Sequence, residues 1–475
     1  MSDIAAIVLA AGAGTRMKSD KPKVVHEVLG KPMVDWVIDA AAEAGAARIV
    51  TVVGHGREHV IPLVEGKSEI AIQEEQLGTA DAVKCAMASP SLTDYDGPVV
   101  ILSGDCPLIS SDTIAELAYL QKVENAGAVV LTMLLEDPFG YGRILKDPEG
   151  KAIVRIVEQK DGTAEELEVC ECNSGFYCFD AEALRNALSK IGSENAQGEF
   201  YLTDALEIIR SEGLPTVALI ADDPEECLGV NSRKQLAEAI RVKQRQINDR
   251  LMDGGVTMIC PDMVWAGPEV TIESDCVIHP NVTLIGNVHI AKGSTILPTT
   301  MLKDTTVGEG CTVGPNTRIY GTVIGSDCTI DETYAKDARI DSSVSTGPRA
   351  YIRPGTHMCE GSKAGTHVEI KNSTIGKGSK VPHLSYIGDA TIGEDVNIGA
   401  GSITCNYDGV NKHKTFIGDR TFIGSDTMMV APVKIGDDVV IGAGSVITTD
   451  IPDKALAVAR SREHIKENWN RNRSS

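Results

Sequence analysis

An aliphatic residue followed by glycine recurs through the second half of the chain, from about Gly267 to Thr449, at multiples of roughly six residues. The pairs begin at Val307, Val313, Ile392, Ile398, Ile417, Ile423, Ile435 and Ile441. In a triangular coil with three short flat sides, one aliphatic residue per side points inward and stacks on its equivalent in the next coil. Because one coil cannot bury its apolar face alone, the pattern predicts many stacked coils, as in a hexapeptide β-helix.

A polar insertion at Thr404–Thr415 interrupts the repeat. An insertion in a regular solenoid forms a loop on one face, and such loops often bind ligands. An idle surface excursion is the alternative, but the Asn, Tyr and Lys residues of this segment favour a binding loop.

The first half of the chain alternates short apolar runs with Ala-rich stretches of helical periodicity. The apolar runs have the length of strands and are Ile4–Ala10, Arg48–Gly54, Pro98–Ser103 and Ala128–Leu134. The helical stretches are Met33–Ala44, Thr79–Ala88 and Thr113–Asn125. Continuous apolar strands separated by helices predict a Rossmann-like α/β domain whose mostly parallel sheet is covered on both faces.

A single helix is predicted between the two halves. Ser232 is a suitable N-cap, and Gly254 and Gly255 end the helical pattern. Between them an apolar stripe recurs at helical spacing, at Leu236, Ile240, Ile247 and Leu251. We therefore predict an α/β domain at 1–231, a linker helix at 232–253, and a repeat domain with a C-terminal tail at 254–475.

Composition restricts the function. The 475-residue chain has a formal net charge of −22, which disfavours binding to nucleic acid or insertion into anionic membranes. Its 12 cysteines are scattered and form no paired C-x-x-C zinc pattern, as is typical of reduced, cytoplasmic proteins. The apolar start of the chain lacks a basic segment and runs into a glycine-rich turn, which indicates a buried strand rather than a signal peptide. No apolar run reaches membrane-spanning length.

The glycine-rich turn after the first predicted strand lies within Leu9–Met17. Backbone N–H groups in such a turn can approach a phosphate, although the pattern is neither a Walker A loop nor a good dinucleotide fingerprint. A plain tight turn explains the glycines alone equally well. A basic cluster that stands out in an acidic chain favours a triphosphate site, and its members are Arg16, Lys18, Lys21 and Lys23. For Lys18 we prefer a solvated surface position.

The segment Leu-Ala-Ala-Gly-Ala-Gly-Thr-Arg-Met, followed by Lys21-Pro22-Lys23, resembles the signature of sugar-1-phosphate nucleotidyltransferases. From Ile4 to about Arg460, the chain resembles the bifunctional N-acetylglucosamine-1-phosphate uridyltransferase/glucosamine-1-phosphate acetyltransferase family. That resemblance implies a pyrophosphorylase (uridylyltransferase) domain followed by a left-handed parallel β-helix, and homotrimers with acetyltransferase sites between subunits. It implies that the chain acetylates glucosamine 1-phosphate with acetyl-CoA. Uridylyl is then transferred from UTP to N-acetylglucosamine 1-phosphate, giving pyrophosphate and a precursor of peptidoglycan and lipopolysaccharide.

The resemblance also assigns residues to the uridylyltransferase site. Arg16 and Lys23 hold the phosphates, and Asp105 and Asn231 bind Mg²⁺. The other nucleotide and sugar contacts are Leu9, Ala10, Ala11, Gly12, Gln73, Gly78, Thr79, Ser103, Gly104, Gly142, Glu158 and Asn173, of which Gln73, Gly78 and Thr79 read uracil. The stretch Asn195–Asp204 also matches the family and is expected near the sugar pocket.

The residues themselves support Asp105 as a metal ligand. It lies just past an apolar strand, where open α/β sheets bind ligands, and carboxylate oxygens suit Mg²⁺. A turn-forming aspartate is the alternative for this residue taken alone.

Acetyl transfer to an amine needs a base, donors for the oxyanion and a site for the long thioester arm. His383 is the natural base, because an imidazole titrates near neutrality. A lone histidine is more often structural, but neighbouring Lys and Tyr residues favour catalysis here. By the resemblance, Arg353, Lys371, Tyr386 and Asn397 bind glucosamine phosphate. The acetyl-CoA groove is assigned to Ala400, Asn406, Tyr407, Ser425, Ala443 and Arg460.

Two other interpretations remain open at this point. One is a sugar-1-phosphate nucleotidyltransferase of other specificity, whose repeat domain only regulates or oligomerises; the His383 cluster and the Asn406 loop argue against it. The other is a scaffold without catalysis, which the retention of Arg16, Lys23 and Asp105 disfavours.

Overall fold

The computed structural model describes residues 4–12, 14–195, 198–467 and 469. Ala13 of the glycine-rich turn, Ala196 and Gln197 of the Asn195–Asp204 stretch, and residues 468 and 470–475 of the tail lie outside the described residues. The chain divides into two compact units, one ending at Lys243 and one beginning at Gln244. None of the described helices combines the length and apolarity needed to cross a bilayer.

The first unit contains one large sheet and a small hairpin. Its strands are β1 Ile4–Ala10, β2 Glu27–Val28, β3 Lys31–Pro32, β4 Ala46–Val53, β5 Glu69–Ile72, β6 Pro98–Ser103, β7 Ala128–Leu134, β8 Arg143–Lys146, β9 Ile153–Val157, β10 Glu171–Asp180 and β11 Thr216–Ile220. The strand order in the large sheet is β11-β7-β10-β6-β1-β4-β5, and the β8–β9 hairpin pairs with β10. Every pair along that order is parallel except those of β10, which runs antiparallel to both β6 and β7.

The helices are α1 Met33–Glu43, α2 Arg57–Val64, α3 Thr79–Met87, α4 Ser111–Val123, α5 Ala181–Leu188, α6 Asp204–Ser211 and α7 Arg233–Asp253. Short 3-10 turns lie at Thr15–Met17, Lys23–Val25, Glu166–Glu168, Pro224–Cys227 and Pro261–Met263. In β1, the side chains of Ala5 and Ile7 face one apolar core while those of Ala6 and Val8 face a second. The sheet is therefore covered on both faces, as its continuous apolar strands predict.

The helix α7 occupies the segment for which a linker helix is predicted. Ser232 Oγ accepts a hydrogen bond from the Gln235 backbone N–H at 3.3 Å, which is the expected N-cap contact. The helix ends where Gly255 adopts a φ of +94°, a conformation that suits glycine. The division between the compact units falls inside α7.

The second unit is a parallel β-helix with three sides, each a ladder of short strands from successive coils. The first side consists of β12 Thr257–Met258, β15 Val277–Ile278, β18 Thr295–Ile296, β21 Thr312–Val313, β24 Thr329–Ile330, β27 Ser345–Thr346, β30 Lys363–Thr366, β33 Lys380–His383, β36 Asn397–Ile398, β39 Phe422–Ile423, β42 Val440–Ile441 and β44 Leu456–Ala457. The second consists of β13 Trp265–Ala266, β16 Thr283–Ile285, β19 Met301–Lys303, β22 Arg318–Tyr320, β25 Tyr334–Lys336, β28 Tyr351–Ile352, β31 Glu369–Lys371, β34 Tyr386–Gly388, β37 Ile403–Cys405, β40 Met428–Val430 and β43 Val446–Ile447. The third consists of β14 Thr271–Ile272, β17 His289–Ile290, β20 Thr306–Val307, β23 Val323–Ile324, β26 Arg339–Ile340, β29 His357–Met358, β32 Thr374–Ile375, β35 Ala390–Ile392, β38 Thr415–Ile417 and β41 Val433–Ile435.

Most of the short strands place one aliphatic residue in the interior of the β-helix. On the first side these include Ile278, Ile296, Val313, Ile330, Val381, Ile398, Ile423 and Ile441, all nearly inaccessible to solvent. The ladders begin at Thr257, before the predicted start at Gly267, because the strand β12 carries Met258 inward without the diagnostic glycine. The polar insertion leaves the β-helix between β37 and β38, and a bridge between Tyr407 and Lys412 closes it as a small hairpin.

Two candidate active sites

The first candidate site lies where four parallel strands of the first unit end together. Leu9 of β1 is in register with Val52 of β4 and with Ser103 of β6, and Val53 of β4 is in register with Ile72 of β5. The segments that follow these strands therefore meet at one edge of the sheet. They contain the predicted residues Ala11, Gly12, Gln73, Gly104 and Asp105, and Ala10 ends β1.

The glycine-rich turn offers its backbone rather than side chains to this edge. Ala10 and Ala11 are buried, and the position of a Cβ at Gly12 would have no heavy atom within 4 Å. At Gly14, with a φ of +64°, an added Cβ would lie 2.7 Å from Lys23 Cβ. Glycine at this position lets the turn pack against Lys23. The Arg16 side chain is exposed in the adjacent 3-10 turn.

Lys23 brings the two predicted metal ligands together. Its Nζ forms an ion pair with Asp105 Oδ2 and donates a hydrogen bond to Asn231 Oδ1 at 3.1 Å. One cation at that point contacts both oxygens. Carboxylate and carboxamide oxygens are the hard ligands that Mg²⁺ prefers, so this donor set fits the ion.

Gly229 is a residue of this site that the sequence analysis did not identify. A Cβ there would lie 3.6 Å from Asn231 Nδ2 and 3.8 Å from Asp105 Oδ2, so the backbone runs close beside both groups. The glycine two residues before Asn231 is the only sequence signal for it.

The predicted base-reading residues form one hydrogen-bonded group. Gln73 is buried, and its Nε2 donates to Gly78 O at 3.1 Å and to Asp81 Oδ2 at 2.8 Å. Gly78 has a φ of +123°, and an added Cβ would lie 2.7 Å from the backbone nitrogen of Phe200. Thr79 Oγ1 accepts the Leu202 N–H at 3.0 Å. Part of the Asn195–Asp204 stretch therefore packs directly against this group.

The predicted sugar-binding residues also lie together. An added Cβ at Gly142 would lie 3.5 Å from Glu158 Oε1 and 3.6 Å from Asn173 Cβ. The Asn173 N–H donates to Gly142 O at 2.9 Å. Burial, followed by the nearby carboxylates of Asp161 and Asp204, raises the pKa of Glu158. A carboxyl oxygen can accept a hydrogen bond from a hydroxyl group.

The second candidate site begins with a column on the β-helix. The register of the first side places His383, Ala400, Ser425 and Ala443 at equivalent corners of four successive coils. Three backbone hydrogen bonds connect the column, from Gly401 N to His383 O, from Asp426 N to Ala400 O, and from Gly444 N to Ser425 O. The residues that follow His383 in this column have small side chains. At its lower end, Arg460 Nη1 donates to Ala443 O at 2.9 Å.

A cationic cluster lies where the strands of the second side end, across that side from the corner that carries His383. Register places Arg353 beside Lys371, and Lys371 beside Gly388 at the end of β34. Arg353 Nη1 donates to Glu369 Oε1 at 2.6 Å, and this hydrogen bond raises the pKa of the guanidinium. The hydroxyl of Tyr386, which begins β34, lies 3.5 Å from Asn406 Nδ2. The predicted phosphate ligands and the insertion therefore meet.

Lys412 and Asp389 belong to this cluster but were not identified from the sequence. The adjacent Lys371 lowers the pKa of Lys412. Burial opposes ionisation of Asp389, but hydrogen bonds from Asn372 and Asn406 keep its pKa low. Two adjacent ammonium groups make a binding place for a phosphate dianion. No local motif reveals these two residues, because the position of Lys412 depends on how the insertion folds and that of Asp389 depends on the register of its coil.

Asp408 stabilises the insertion through hydrogen bonds within it. Asp408 Oδ1 accepts the Val410 N–H at 2.7 Å and the Asn411 N–H at 2.6 Å, and Asp408 Oδ2 lies 2.7 Å from His413 Nε2. The backbone hydrogen bond from Asn411, followed by the contact with His413, lowers the pKa of Asp408 to about 2. Tyr407 projects from this hairpin with 60% of its surface exposed.

The predicted acetyltransferase residues lie at two corners of the β-helix, at either end of the second side. His383 ends β33 and Asn397 begins β36, and both lie on the first side. Arg353 and Lys371 lie at the far end of the second side. The strand β34 lies between His383 and the rung of Lys371, and a strand of three residues spans about 10 Å.

Comparison with known proteins accounts for both halves of the chain. Residues 6–145 match the MobA-like NTP transferase domain family. Residues 414–449 match the bacterial transferase hexapeptide family, and residues 304–331 match the hexapeptide repeat of succinyl-transferase.

Whole-length relatives carry the name bifunctional protein GlmU. The relative from Carboxydothermus hydrogenoformans is 48% identical over 463 residues, covering 98% of this chain and 99% of the relative. The Heliobacterium modesticaldum relative is 48% identical over 464 residues, covering 98% and 97%. The Corynebacterium diphtheriae relative is 46% identical over 472 residues, covering 98% and 93%.

Proposed function

Because the chain belongs to the GlmU family of bifunctional proteins, we propose how its two sites share the synthesis of UDP-N-acetylglucosamine. The chain is an enzyme that acetylates glucosamine 1-phosphate with acetyl-CoA. It then transfers uridylyl from UTP to N-acetylglucosamine 1-phosphate, releasing pyrophosphate. The product serves cell-wall biogenesis.

We assign uridylyl transfer to residues 1–231 and acetyl transfer to residues 254–475, with 232–253 as the linker helix. The single observation that carries the first assignment is the convergence of Lys23, Asp105 and Asn231 at the sheet edge. The column from His383 to Ala443 supports the second.

In uridylyl transfer, the phosphate oxygen of the sugar attacks the α-phosphorus of UTP and pyrophosphate leaves. Arg16 and Lys23 bind the triphosphate and offset its charge, and Asp105 and Asn231 hold Mg²⁺. The bound ion neutralises negative charge that develops on the phosphate oxygens. The backbone of Leu9–Gly12 and of Ser103 and Gly104 lines the nucleotide, because the side chains of Ala10 and Ala11 are buried.

The polar groups further along the edge give specificity. Gln73, Gly78 and Thr79 read the uracil edge from a fixed hydrogen-bonded group. Glu158, Asn173 and the backbone of Gly142 bind the sugar. A buried site built for hydrogen bonds rejects ligands that leave its polar atoms unpaired.

In acetyl transfer, His383 takes a proton from the amine of glucosamine 1-phosphate as the amine nitrogen attacks the thioester carbonyl. The new C–N bond forms, the C–S bond breaks, and the coenzyme A thiolate leaves and takes up a proton. Arg353, Lys371, Tyr386 and Asn397 bind the sugar phosphate. The corner along Ala400, Ser425 and Ala443 receives the extended thioester arm, with Arg460 at its border. Asn406 and Tyr407, which lie at the far end of the second side, also bind acetyl-CoA in this proposal.

We further propose a homotrimer in the cytoplasm. The last coils of the β-helix expose apolar side chains that a second copy would cover: Phe416, Phe422, Val440, Val446 and Leu456. All 12 cysteines are unpaired, which suits a reducing compartment.

The test is to incubate the purified chain with glucosamine 1-phosphate, acetyl-CoA, UTP and Mg²⁺, omitting each in turn. Omission of acetyl-CoA should stop all product formation, and N-acetylglucosamine 1-phosphate should restore it. If UDP-N-acetylglucosamine never forms while another sugar phosphate is converted, the chain is a nucleotidyltransferase of other specificity.

A further inference from the structure

Three different metal-ligand types meet on the third side of the β-helix. His357 Nε2 lies 2.8 Å from Asp341 Oδ2 and 4.0 Å from Cys359 Sγ. All three donor atoms lie within 4.8 Å of one another. A tetrahedral zinc ion with ordinary bond lengths separates such donors by roughly 3.4–3.6 Å. The observed separations of 2.8 Å and 4.0 Å lie on either side of that spacing.

The register of the coils builds this arrangement. Ile340 of β26 is in register with Met358 of β29, and both face the interior. Asp341 and Cys359 therefore share one rung on the outer surface, and His357 lies two residues before Cys359. The Asp341 N–H donates to Met358 O at 2.8 Å, and the Cys359 N–H donates to Ile375 O at 2.9 Å. The ladder thus fixes the backbone under the donors.

An equivalent rung of the same side shows what the thiol adds. Ile272 is in register with Ile290, so Glu273, His289 and Ala291 occupy the positions of Asp341, His357 and Cys359. His289 Nε2 lies 3.6 Å from Glu273 Oε1. A histidine–carboxylate pair therefore occurs twice on this side. Among the described residues, a thiol joins the pair only at Asp341 and His357, where Cys359 supplies it.

The surroundings suit an ion at this place. Arg339 Nε donates to Asp341 Oδ1 at 2.9 Å, which leaves Oδ2 directed at His357. Hydrogen bonds of this kind to the second oxygen orient ligating carboxylates. An open depression of about 520 Å³, lined in part by Asp341 and Glu360, borders the cluster and gives an ion access.

We propose that Asp341, His357 and Cys359 bind a divalent transition metal ion of the zinc class, with water completing its coordination. Thiolate and imidazole ligands select such ions over Mg²⁺. On binding, the Cys359 thiol releases its proton to solvent and no redox change occurs. Because Asp341 lies on one coil and His357 and Cys359 lie on the next, the ion links two coils and stabilises them against unfolding.

The test uses the full chain, stripped of metal, with reduced thiols and with excess Mg²⁺ present to occupy Asp105 and Asn231. Titration with Co²⁺ should give a thiolate-to-cobalt charge-transfer band that saturates at one equivalent, together with a rise in Tm. The variant Cys359→Ser should lose the band. His357→Gln and Asp341→Asn should weaken binding by roughly tenfold or more, since even changes outside the ligand set cost that much.

Two matched variants serve as controls. Cys260→Ser removes another half-buried thiol of the same unit, and His289→Gln removes the equivalent histidine; both should keep the band. Absence of a thiolate band in the unaltered chain, or a band that survives Cys359→Ser, overturns the proposal. If circular dichroism shows that Cys359→Ser does not fold, the affinity of His357→Gln decides: unchanged affinity also overturns it.

Discussion

The two active sites are assembled in different ways. In the α/β unit, residues as distant in sequence as Lys23, Asp105 and Asn231 meet because parallel strands end at one edge of the sheet. In the β-helix, His383 and Ser425 lie at equivalent corners because each coil repeats the last. The first site depends on long-range packing, and the second depends on register between neighbouring coils. Changes at one site should therefore leave the other intact.

The largest effect is expected from His383→Ala. Loss of the base should lower the rate of acetylation by roughly 10³-fold, within the range for general acid–base catalysis, while uridylylation continues. Separate assays with glucosamine 1-phosphate and with N-acetylglucosamine 1-phosphate measure the two reactions. His279→Ala, also on the first side, is the control. Loss of both reactions in folded His383→Ala would refute the division into two sites.

Asp105→Asn should have the reverse effect. Removal of a charged metal ligand should lower uridylylation by roughly 10²-fold, because several kcal/mol of charge stabilisation depend on the bound ion. Acetylation should be unchanged, and chelation of Mg²⁺ should reproduce the effect in the unaltered chain. Asp94→Asn, at an exposed carboxylate, is the control. Equal sensitivity of both reactions to the chelator would contradict the assignment.

Lys412→Ala tests the cationic cluster. It should raise the KM for glucosamine 1-phosphate by about tenfold, the value of one charge-assisted hydrogen bond, with a smaller change in kcat. Lys371 lowers the pKa of Lys412, so the KM should begin to rise with pH below the ordinary lysine range near 10.4. Lys414→Ala, in the same insertion, is the matched control. An equal effect of the two substitutions would show that only overall charge matters.

The smallest effect is expected from Asp408→Asn, which loosens the hairpin. The KM for acetyl-CoA should rise by about twofold to threefold, as for loss of one exposed ion pair, without any change in uridylylation. The folded-state pKa of Asp408 is about 2, below the ordinary value near 3.9. Its contribution is therefore fully present above about pH 4 and is lost as the pH falls towards 2. Amide exchange of Val410 and Asn411 across that interval measures the loss.

The sequence predicts the local elements well because apolar periodicity is itself local. The bounds of β1 and of β7 agree with the predicted runs Ile4–Ala10 and Ala128–Leu134. The helix α4 begins at Ser111, two residues before the predicted Thr113, because Ser110 caps it with a hydrogen bond to the Thr113 N–H. The antiparallel insertion of β10 between β6 and β7 could not be read from the sequence, because tertiary contacts set strand order.

The candidate sites show the same limit. Lys23 and His383 lie in local motifs, so the sequence alone indicates the chemistry of each residue. Lys412 and Asp389 carry no such motif, because the path of the insertion places Lys412 and the register of neighbouring coils places Asp389. The pairing of Asp341 with Cys359 is equally hidden, since only the register of two coils reveals that they share a rung.

The repeated rung of the β-helix has a consequence for how new chemistry arises. Ile290 and Met358 belong to the same kind of buried apolar stack. The positions of Glu273, His289 and Ala291 on the outer surface correspond to those of Asp341, His357 and Cys359. The two places differ in carrying alanine at 291 and cysteine at 359, which changes the surface side chain and leaves the buried stack intact. A solenoid of this kind can therefore acquire a binding site on one coil through a surface substitution, while the buried stack that holds the coils together stays unchanged.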